Sequence, residues 1–462
     1  MPFEALGEDV LLKILCSCDI FTVLAVSAIN KGLRHIALSK QLWLSLVLDT
    51  RFRDALDLPP PDCEKLECLS PEELIAVVKN AVTGPGSLWD SPHDASCSVT
   101  MTSFQIPLNE MEDSPDTRRL PGARYLLLHT TSATQHTFYL YDVWSARRVW
   151  YRLMQGYTVC EVDLAPGGAI ARVFLVQKVD HPNTCTLQVE EVDLMTGASH
   201  KLFNFSLGSI VFGVAPCAIV GDFLLGTVLQ PHRHYNDTEL LLINWHASTF
   251  VSLSRDYLFQ AQLIPGYILT TYLETSPRYA HVLALTALEA FSDRWQPLPD
   301  DGAGLAAQLE TRLLSTTRIN SLNITTQERL QYSGWPIDSE LVSVTPDPLC
   351  SGAYNIFVSG YEYPPPRPTT LMERIRNRIS SMVSFPRRGG RRPMEDHAVW
   401  CYQFTPVSAA GEGCTLRLVS ARRVSDWRQA HCPRAIIPLS QGNSINVVYR
   451  ERKRTSAVAD AA

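Results

Sequence analysis

The sequence lacks the short motifs that mark the common enzyme classes. It has no glycine-rich phosphate loop of the form GxxxxGK[ST] or GxGxxG, no GxSxG nucleophile elbow and no HExxH metal motif. Its 12 cysteines include no CxxC pair, so the spacing of zinc-finger ligands is missing. These absences predict a protein that is not an enzyme and that holds no metal or cofactor.

A leader segment and a convincing membrane span are also missing. Glu4, Glu8 and Asp9 precede the first apolar run, whereas a signal peptide opens with basic residues. Residues 202–221 carry no charge over twenty positions, but polar residues, a proline and three glycines dilute the run. We expect two buried strands there, joined by a turn at Ala215-Pro216. With scattered cysteines typical of a reducing compartment, the sequence predicts a cytoplasmic and/or nuclear protein without a membrane partner.

Charge is nearly balanced, with 41 basic and 47 acidic residues and a net charge of −6. This balance gives no whole-chain reason to expect nucleic acid as a partner. Residues 363–397 are different, because they contain eight arginines and few strand formers. We interpret them as a solvated inserted loop, without regular structure or with a short basic helix around 371–383. The RRGGRR run within it resembles a nuclear-import or nucleic-acid patch.

Residues 6–48 have a helical pattern. Apolar residues recur on one side of the first predicted helix, at Val10, Leu11, Ile14 and Leu15. Asp19 and Thr22 are placed to cap a second helix, which we expect Gly32 to interrupt. A unit of about forty residues is too small to bury so many apolar side chains alone. The excess apolar surface needs a partner, either the rest of the chain or a second protein.

Residues 51–87 are predicted to be a helical linker. The PPPD stretch at 59–62 breaks the chain, and the run Ser70-Pro71-Glu72-Glu73 is typical of a capping box with proline at the first helical position. This pattern predicts a helix from there to about Val82. The Thr83-Gly84-Pro85-Gly86 run should end it.

From about residue 88 the pattern changes to short β-branched and aromatic runs separated by turn residues. In several, a strand ends at Asp or Asn, a short turn follows and a second strand leaves, with Asp142, Asp193 and Asn244 about 50 residues apart. This spacing suits a four-stranded propeller blade. The fold class is therefore α+β multidomain, with a β-propeller of six to eight blades over 88–451 and a tail at 452–462. A pair of β-sandwiches is the alternative.

The amino-terminal residues resemble the F-box family. The matching positions are Leu6-Gly7-Glu8-Asp9-Val10-Leu11-Leu12-Lys13-Ile14-Leu15, then Asp19, Val23-Leu24, Leu33-Arg34 and Leu42-Trp43. The continuation is similar to fungal F-box proteins with a β-rich, propeller-like carboxyl part, in the stretches KQLWLSLVLDTRFR, LSPEELIAVVKNAVTGPGSLW, LPGARYLLL and VDLMTG. On this resemblance residues 1–50 are the F-box.

The resemblance implies a substrate receptor that docks on a Skp-family adaptor, and through it on a cullin, and presents a bound protein target for ubiquitination. By position, it implies that the adaptor contacts are Leu6, Gly7, Val10, Leu11, Ile14, Val23 and Leu24. Leu33 and Trp43 would instead pack inside the F-box. A non-degradative F-box scaffold or regulatory binding protein is the alternative, and neither the target nor its recognition element follows from the sequence.

Overall fold

The computed structural model describes most of the chain. The described residues are 6–83, 97–108, 115–132, 135–165, 167–180, 183–209, 213–229, 237–274, 280–299, 302–311, 316–320, 322–330, 337–362, 396–406, 413–424, 435–436, 440–441 and 444–454. They form a small helical unit, residues 6–83, followed by a mostly β region. This division agrees with the α-then-β order that the sequence predicts.

The helical unit contains short α-helices joined by tight turns. They are α1 (Glu8–Leu15), α2 (Ile20–Ser27), α3 (Lys31–Ala37), α4 (Lys40–Leu48), α5 (Thr50–Ala55), α6 (Cys63–Glu67) and α7 (Pro71–Thr83).

Side-chain caps fix where these helices begin. The Asp19 carboxylate accepts the Thr22 N–H at 2.7 Å at the start of α2, and Asn30 accepts the Leu33 N–H at 2.8 Å at the start of α3. The expected capping box is confirmed, because the Ser70 N–H donates to Glu73 at 2.8 Å and the Glu73 N–H donates to Ser70 Oγ at 3.3 Å. Gly32, expected to interrupt the second helix, lies inside α3 instead. The break comes before it, since Asn30 starts a new helix.

The helices share one hydrophobic core. Leu33 and Trp43 are buried in it, and the Trp43 indole N–H donates to the Ala37 carbonyl at 2.9 Å. Leu74 and Val78 of α7 belong to the same core. Residues 51–83 are therefore an integral part of the helical unit and not the linker that the sequence predicts for 51–87. Apolar spacing within α7 is what seats it against α4.

The β region folds into antiparallel sheets, which are numbered here in chain order. A first strand, β1 (Cys97–Pro107), precedes sheet 1, formed by β2 (Asp116–Arg119), β3 (Tyr125–Thr131), β4 (Gln135–Asp142) and β5 (Arg147–Gln155). Sheet 2 contains β6 (Tyr157–Leu164), β7 (Ile170–Asp180), β8 (Asn183–Asp193) and β9 (Ser199–Ser209). Sheet 3 is built on β10 (Gly213–Val220), β11 (Phe223–Leu229), β12 (Asp237–Asn244) and β13 (Thr249–Asp256).

The remaining sheets follow the same plan with one interruption. Sheet 4 contains β14 (Leu258–Ile264), β15 (Tyr267–Glu274), β16 (Ala280–Ala287) and, after an excursion, β19 (Thr326–Leu330). The excursion holds a 3₁₀ turn (Leu288–Phe291), β17 (Gln296–Pro297), α8 (Gly302–Thr311) and β18 (Thr317–Arg318), and both of its strands pair with β13. Sheet 5 contains β20 (Ile337–Pro346), β21 (Tyr354–Glu362), β22 (Asp396–Thr405) and β23 (Thr415–Val424). Sheet 6 holds β24 (Ala435–Ile436), β25 (Ser440–Gln441) and β26 (Ser444–Arg454) together with β1.

Each of sheets 1 to 4 buries its two faces against two other sheets, when the sheets are taken in the order 6, 1, 2, 3, 4, 5. On β3, Leu126 belongs to a hydrophobic cluster shared with sheet 6, whereas the next residue, Leu127, belongs to one shared with sheet 2. On β12 of sheet 3, Leu241 belongs to a cluster shared with sheet 2, and Leu242 belongs to one shared with sheet 4. Successive side chains of a strand point to opposite faces, so long apolar runs are what such doubly covered strands require.

Sheet 6 joins the two ends of the β region. β1 and β26 pair antiparallel along eleven residues, from Cys97 opposite Arg454 to Pro107 opposite Ser444. The strand β26 continues to Arg454 and so includes the first three residues of the tail predicted at 452–462. The first strand of the region is thus held by its last.

The Asp/Asn turns predicted from the sequence are confirmed, and they occupy the same position in three successive sheets. Asp142, Asp193 and Asn244 end the third strands of sheets 1, 2 and 3. Each side chain accepts a backbone N–H from the following turn, at 3.1 Å from Trp144, 2.7 Å from Met195 and 2.9 Å from Ala247. The repeated residue therefore marks a repeated turn.

Residues 202–221 do contain strands, but Ala215-Pro216 lies within β10 next to a bulge, and the connection from β9 comes earlier in the sequence. No α-helix among the described residues has both the length and the apolar character needed to cross a lipid bilayer. Residues 363–395 of the arginine-rich segment lie outside the described residues.

Candidate functional site

Apolar side chains lie exposed along α1 and α2. Val10 and Ile14 of α1 are 44% and 38% exposed, and Phe21 and Leu24 of α2 are 63% and 47% exposed. We call these four residues the helical apolar surface. Val10 and Ile14 are four positions apart and therefore lie on the same stripe of their helix. Large apolar groups kept in water on consecutive helices of one unit are typical of a protein-binding surface.

The adaptor contacts that the F-box resemblance implies divide between this surface and the interior. Val10, Ile14 and Leu24 are on the surface, whereas Leu11 is 4% exposed and Val23 is fully buried. Leu11 and Val23 pack in the helical core, so they are not available to a second protein in this structure.

Leu6 and Gly7 precede α1. Leu6 is half-buried against the helical core, and Gly7 is exposed. The Gly7 carbonyl accepts the N–H groups of Val10 and Leu11 at 3.1 and 3.0 Å. Gly7 thus shapes the start of the helix that carries half of the helical apolar surface.

The helical unit also rests on turns of the β region, in part through the start of α2. The Phe21 N–H donates to the Leu349 carbonyl at 2.9 Å, and the Ser351 N–H donates to the Asp19 carboxylate at 2.8 Å. Arg119 of β2 pairs with Asp57 at 3.2 Å. The Leu349 side chain packs against the helical core. Part of the apolar excess predicted from the sequence is therefore covered by the chain itself. The helical apolar surface stays exposed, and so do Ile29 and Leu38 of the same unit.

A cavity of about 840 Å³ lies between the helical unit and the β region. Its β side is formed by the turns between the first two strands of sheets 1 to 5, which include Pro121, Gly168, Gly221, Gly266 and Gly352. Its helical side comes from the start of α2 and from the α4–α5 junction. The first strands of sheets 2, 3, 4 and 5 lie side by side around it, β6 beside β10, β10 beside β14 and β14 beside β20.

The lining of this cavity is acidic. Among the described residues that line it, seven carry carboxylates and three carry guanidinium groups. Each guanidinium is paired with a carboxylate: Arg118 with Glu161, Arg51 with Asp49 at 2.8 Å, and Arg172 with Glu191 at 3.4 Å.

Burial raises the pKa of several cavity carboxyls. Burial is the main influence on Glu161, whose pKa stays raised although Arg118 acts to lower it. Burial likewise raises the pKa of Asp163, against hydrogen bonds from the Gly221 and Leu164 N–H groups and the charge of Arg172. Asp54, on the helical side, has a pKa raised by burial and only partly offset by Arg124. For these three carboxylates, nearby cations and hydrogen bonds thus only partly offset the free-energy cost of losing hydration.

Sequence reasoning missed the cavity because its walls come from segments far apart in the chain. The local signal was the pair Glu161 and Asp163, two positions apart on β6 and thus on one face of that strand. Two carboxylates on one face of a mostly apolar strand could have marked this position.

No family model matches this sequence, and no curated protein matches it. Among solved structures, it is similar to the β-propeller domain of the Trilobed protease from Pyrococcus furiosus, at 11% identity over 70% of this chain and 84% of that one, with a TM-score of 0.28. It is also similar to the WD40 domain of coronin from Toxoplasma gondii, at 10% identity over 78% of this chain and 88% of that one, with a TM-score of 0.31. A third match is the uncharacterized protein lmo1340 from Listeria monocytogenes EGD-e, at 15% identity and a TM-score of 0.27, covering 38% of this chain and half of that one.

Proposed function

We propose that this chain is an F-box substrate receptor, a non-catalytic subunit that docks on a Skp-family adaptor and presents a protein target to a cullin-based ubiquitin ligase. The observation that carries the proposal is the helical apolar surface. It lies on α1 and α2, the first two of the four helices over which the F-box pattern of the sequence extends. The proposed contacts are Val10, Ile14 and Leu24, with Phe21 added by the structure.

The arrangement of the β sheets supports a second part of the proposal, that the β region is a propeller of six blades. Successive sheets share hydrophobic clusters in the order 6, 1, 2, 3, 4, 5, and β1 pairs with β26 in one sheet. The first strands of sheets 2 to 5 lie side by side. Sheets in a β-sandwich pack as a single facing pair, whereas blades cover one another on both faces. The sandwich alternative fits this order less well.

In the proposed mechanism, the receptor supplies proximity. One face binds the adaptor and another binds the target, so the target is held at a high effective concentration beside a charged ubiquitin-conjugating enzyme. No chemistry is required of this chain. Such a role places it in the cytoplasm, the nucleus or both.

The adaptor contact can be tested with a purified Skp-family adaptor and the full chain by biolayer interferometry. We expect binding, and we expect Val10→Asp together with Leu24→Asp to weaken it at least tenfold, because a carboxylate cannot be buried cheaply in an apolar contact. Leu153→Asp with Val419→Asp is the matched control, since these side chains in the β region are similarly exposed. Absence of binding, or equal binding by both double variants, would overturn the proposal.

A second measurement distinguishes the substrate receptor from the non-degradative scaffold. A receptor delivers its target, so proteins bound by the β region should have longer half-lives in cells that lack this chain. The Val10→Asp, Leu24→Asp variant should fail to restore their turnover. Unchanged half-lives with intact adaptor binding would favour the non-degradative scaffold.

A further inference from the structure

The cavity between the helical unit and the β region has the size and construction of a ligand site. Its volume of about 840 Å³ lies in the range of roughly 300 to 1,000 Å³ that is usual for pockets holding drug-sized ligands. A Cβ atom built on Gly167, Gly168, Gly221, Gly266 or Gly352 would meet nothing within 4 Å. The turns at its edge thus leave free space for an incoming chain.

The charge of the lining selects a cation. The guanidinium groups of Arg51, Arg118 and Arg172 are each already paired, and carboxylates outnumber them by four among the described lining residues. Asp163 on the β side and Asp54 on the helical side face the same cavity. Burial raises the pKa of both carboxyls, which shows that their charged forms are poorly stabilised. A cation placed between them would stabilise both charges.

The shape of the lining favours a guanidinium group over a simple amine. A planar guanidinium can bind a carboxylate through two parallel hydrogen bonds while its face stacks on an aromatic ring. The lining supplies carboxylates together with the half-buried rings of Phe223 and Tyr354. The volume also leaves room for backbone on either side of an arginine.

We infer that this cavity binds an arginine-bearing peptide segment of the protein that the receptor presents, with Asp163 and Asp54 as the carboxylates that hold the guanidinium. The inference rests on the proposed function, because it names the chemical class of the target's recognition element. The site lies on the β-region face that also carries the helical unit.

The test uses the immobilised full chain and two pools of heptapeptides with randomised flanks, one with arginine at the centre and one with citrulline, its uncharged analogue. At 150 mM NaCl we expect the arginine pool to be retained at least fivefold more than the citrulline pool, as measured by mass spectrometry. Asp163→Asn should reduce this ratio to near one. Asparagine can still accept the Gly221 N–H, so the turn should be kept, and Asp54→Asn provides a second variant on the other wall.

The matched control is Asp256→Asn. It removes one exposed carboxylate from the last residue of β13, outside the cavity lining, where Asp256 pairs with Arg318. We expect Asp256→Asn to leave the ratio unchanged. Equal retention of the two pools by the native chain, or an equal loss in the control and cavity variants, would overturn the inference. Spermine is the second arm: if spermine binds in an Asp163-dependent way and the arginine pool does not, the cavity is a polyamine site and the inference is wrong.

Adaptor binding is measured on the same variants, so that failure of the cavity inference can be distinguished from failure of the proposed receptor function. Asp163→Asn should bind the adaptor normally. A native chain that binds the adaptor but retains the arginine and citrulline pools equally rejects only the cavity inference. Selective peptide retention by a chain that does not bind the adaptor rejects the receptor role and leaves the cavity assignment standing.

Discussion

The Asp19 carboxylate accepts the N–H of Ser351 at 2.8 Å, across the junction between the helical unit and sheet 5. The other oxygen of the same carboxylate caps α2 through the Thr22 N–H at 2.7 Å. One side chain therefore starts a helix and ties that helix to a turn more than 300 residues away in the sequence. The direction in which α2 presents Phe21 and Leu24 depends on both contacts.

We expect Asp19→Ala to lower the free energy of unfolding by about 1 to 2 kcal/mol, since a helix cap is lost. Asp19→Asn should cost less, because asparagine also caps helices. Burial alone would raise the pKa of Asp19, but its hydrogen bonds with Thr22 and Ser351 outweigh burial and lower it. The stabilisation is thus present above the unfolded-state pKa of about 3.9 and is lost as pH falls through the lowered pKa. Urea unfolding at several acidic pH values should show this loss in the native chain and not in Asp19→Asn.

The neighbours Val10 and Leu11 should differ strongly in how much stability the same substitution removes. Leu11→Ala removes a buried side chain from the helical core and should cost about 2 to 5 kcal/mol. Val10→Ala changes an exposed helix position and should alter the free energy of unfolding by no more than about 0.5 kcal/mol. Urea unfolding monitored by far-ultraviolet circular dichroism measures both. Similar losses would mean that Val10 also lies in a packed environment.

These results show where the sequence was sufficient and where it was not. The Asp19 cap and the Ser70–Glu73 capping box are local, since donor and acceptor lie within three residues, and both were predicted. The division between Val10 and Leu11 was not predictable, because both lie on the apolar side of α1 and only the packing of the other helices decides which one is covered. The cavity could not be predicted from the sequence, because it forms only where turns from several sheets come together.

The pairing of β1 with β26 should be essential for the stability of the β region. Val447 is buried in the middle of β26, opposite Phe104 of β1, so Val447→Pro should remove ladder hydrogen bonds and cost about 3 kcal/mol or more. Val419→Pro is the control, because Val419 is exposed at a bulge of β23 and has no residue opposite it in the register. Thermal unfolding should separate the two variants clearly. Equal melting temperatures would contradict the role given to this pairing.

His129 and His136 should make the protein less stable in mild acid. Their rings are joined by a hydrogen bond of 2.8 Å between His129 Nε2 and His136 Nδ1. Burial lowers the pKa of both, and the charge of His136 lowers that of His129 further. The unfolded chain therefore binds protons first, so the free energy of unfolding should fall as pH drops below about 6.5.

The measurement is the urea midpoint at pH 7.5, 6.5 and 5.5 for the native chain and for His136→Gln. The variant should show a smaller fall across this range, because one of the two imidazoles with a lowered pKa is gone. His200→Gln is the matched control, since His200 is largely exposed. A fall of the same size in all three chains would assign the acid sensitivity to other groups.

The join between β1 and β26 has a consequence for the order of events during synthesis. The ribosome releases the helices and β1 early, but the partner of β1 emerges only some 340 residues later. Until then β1 has an open edge that must be kept from pairing with other nascent chains. A newly made molecule can therefore offer α1 and α2 to another protein well before its own last strand is in place.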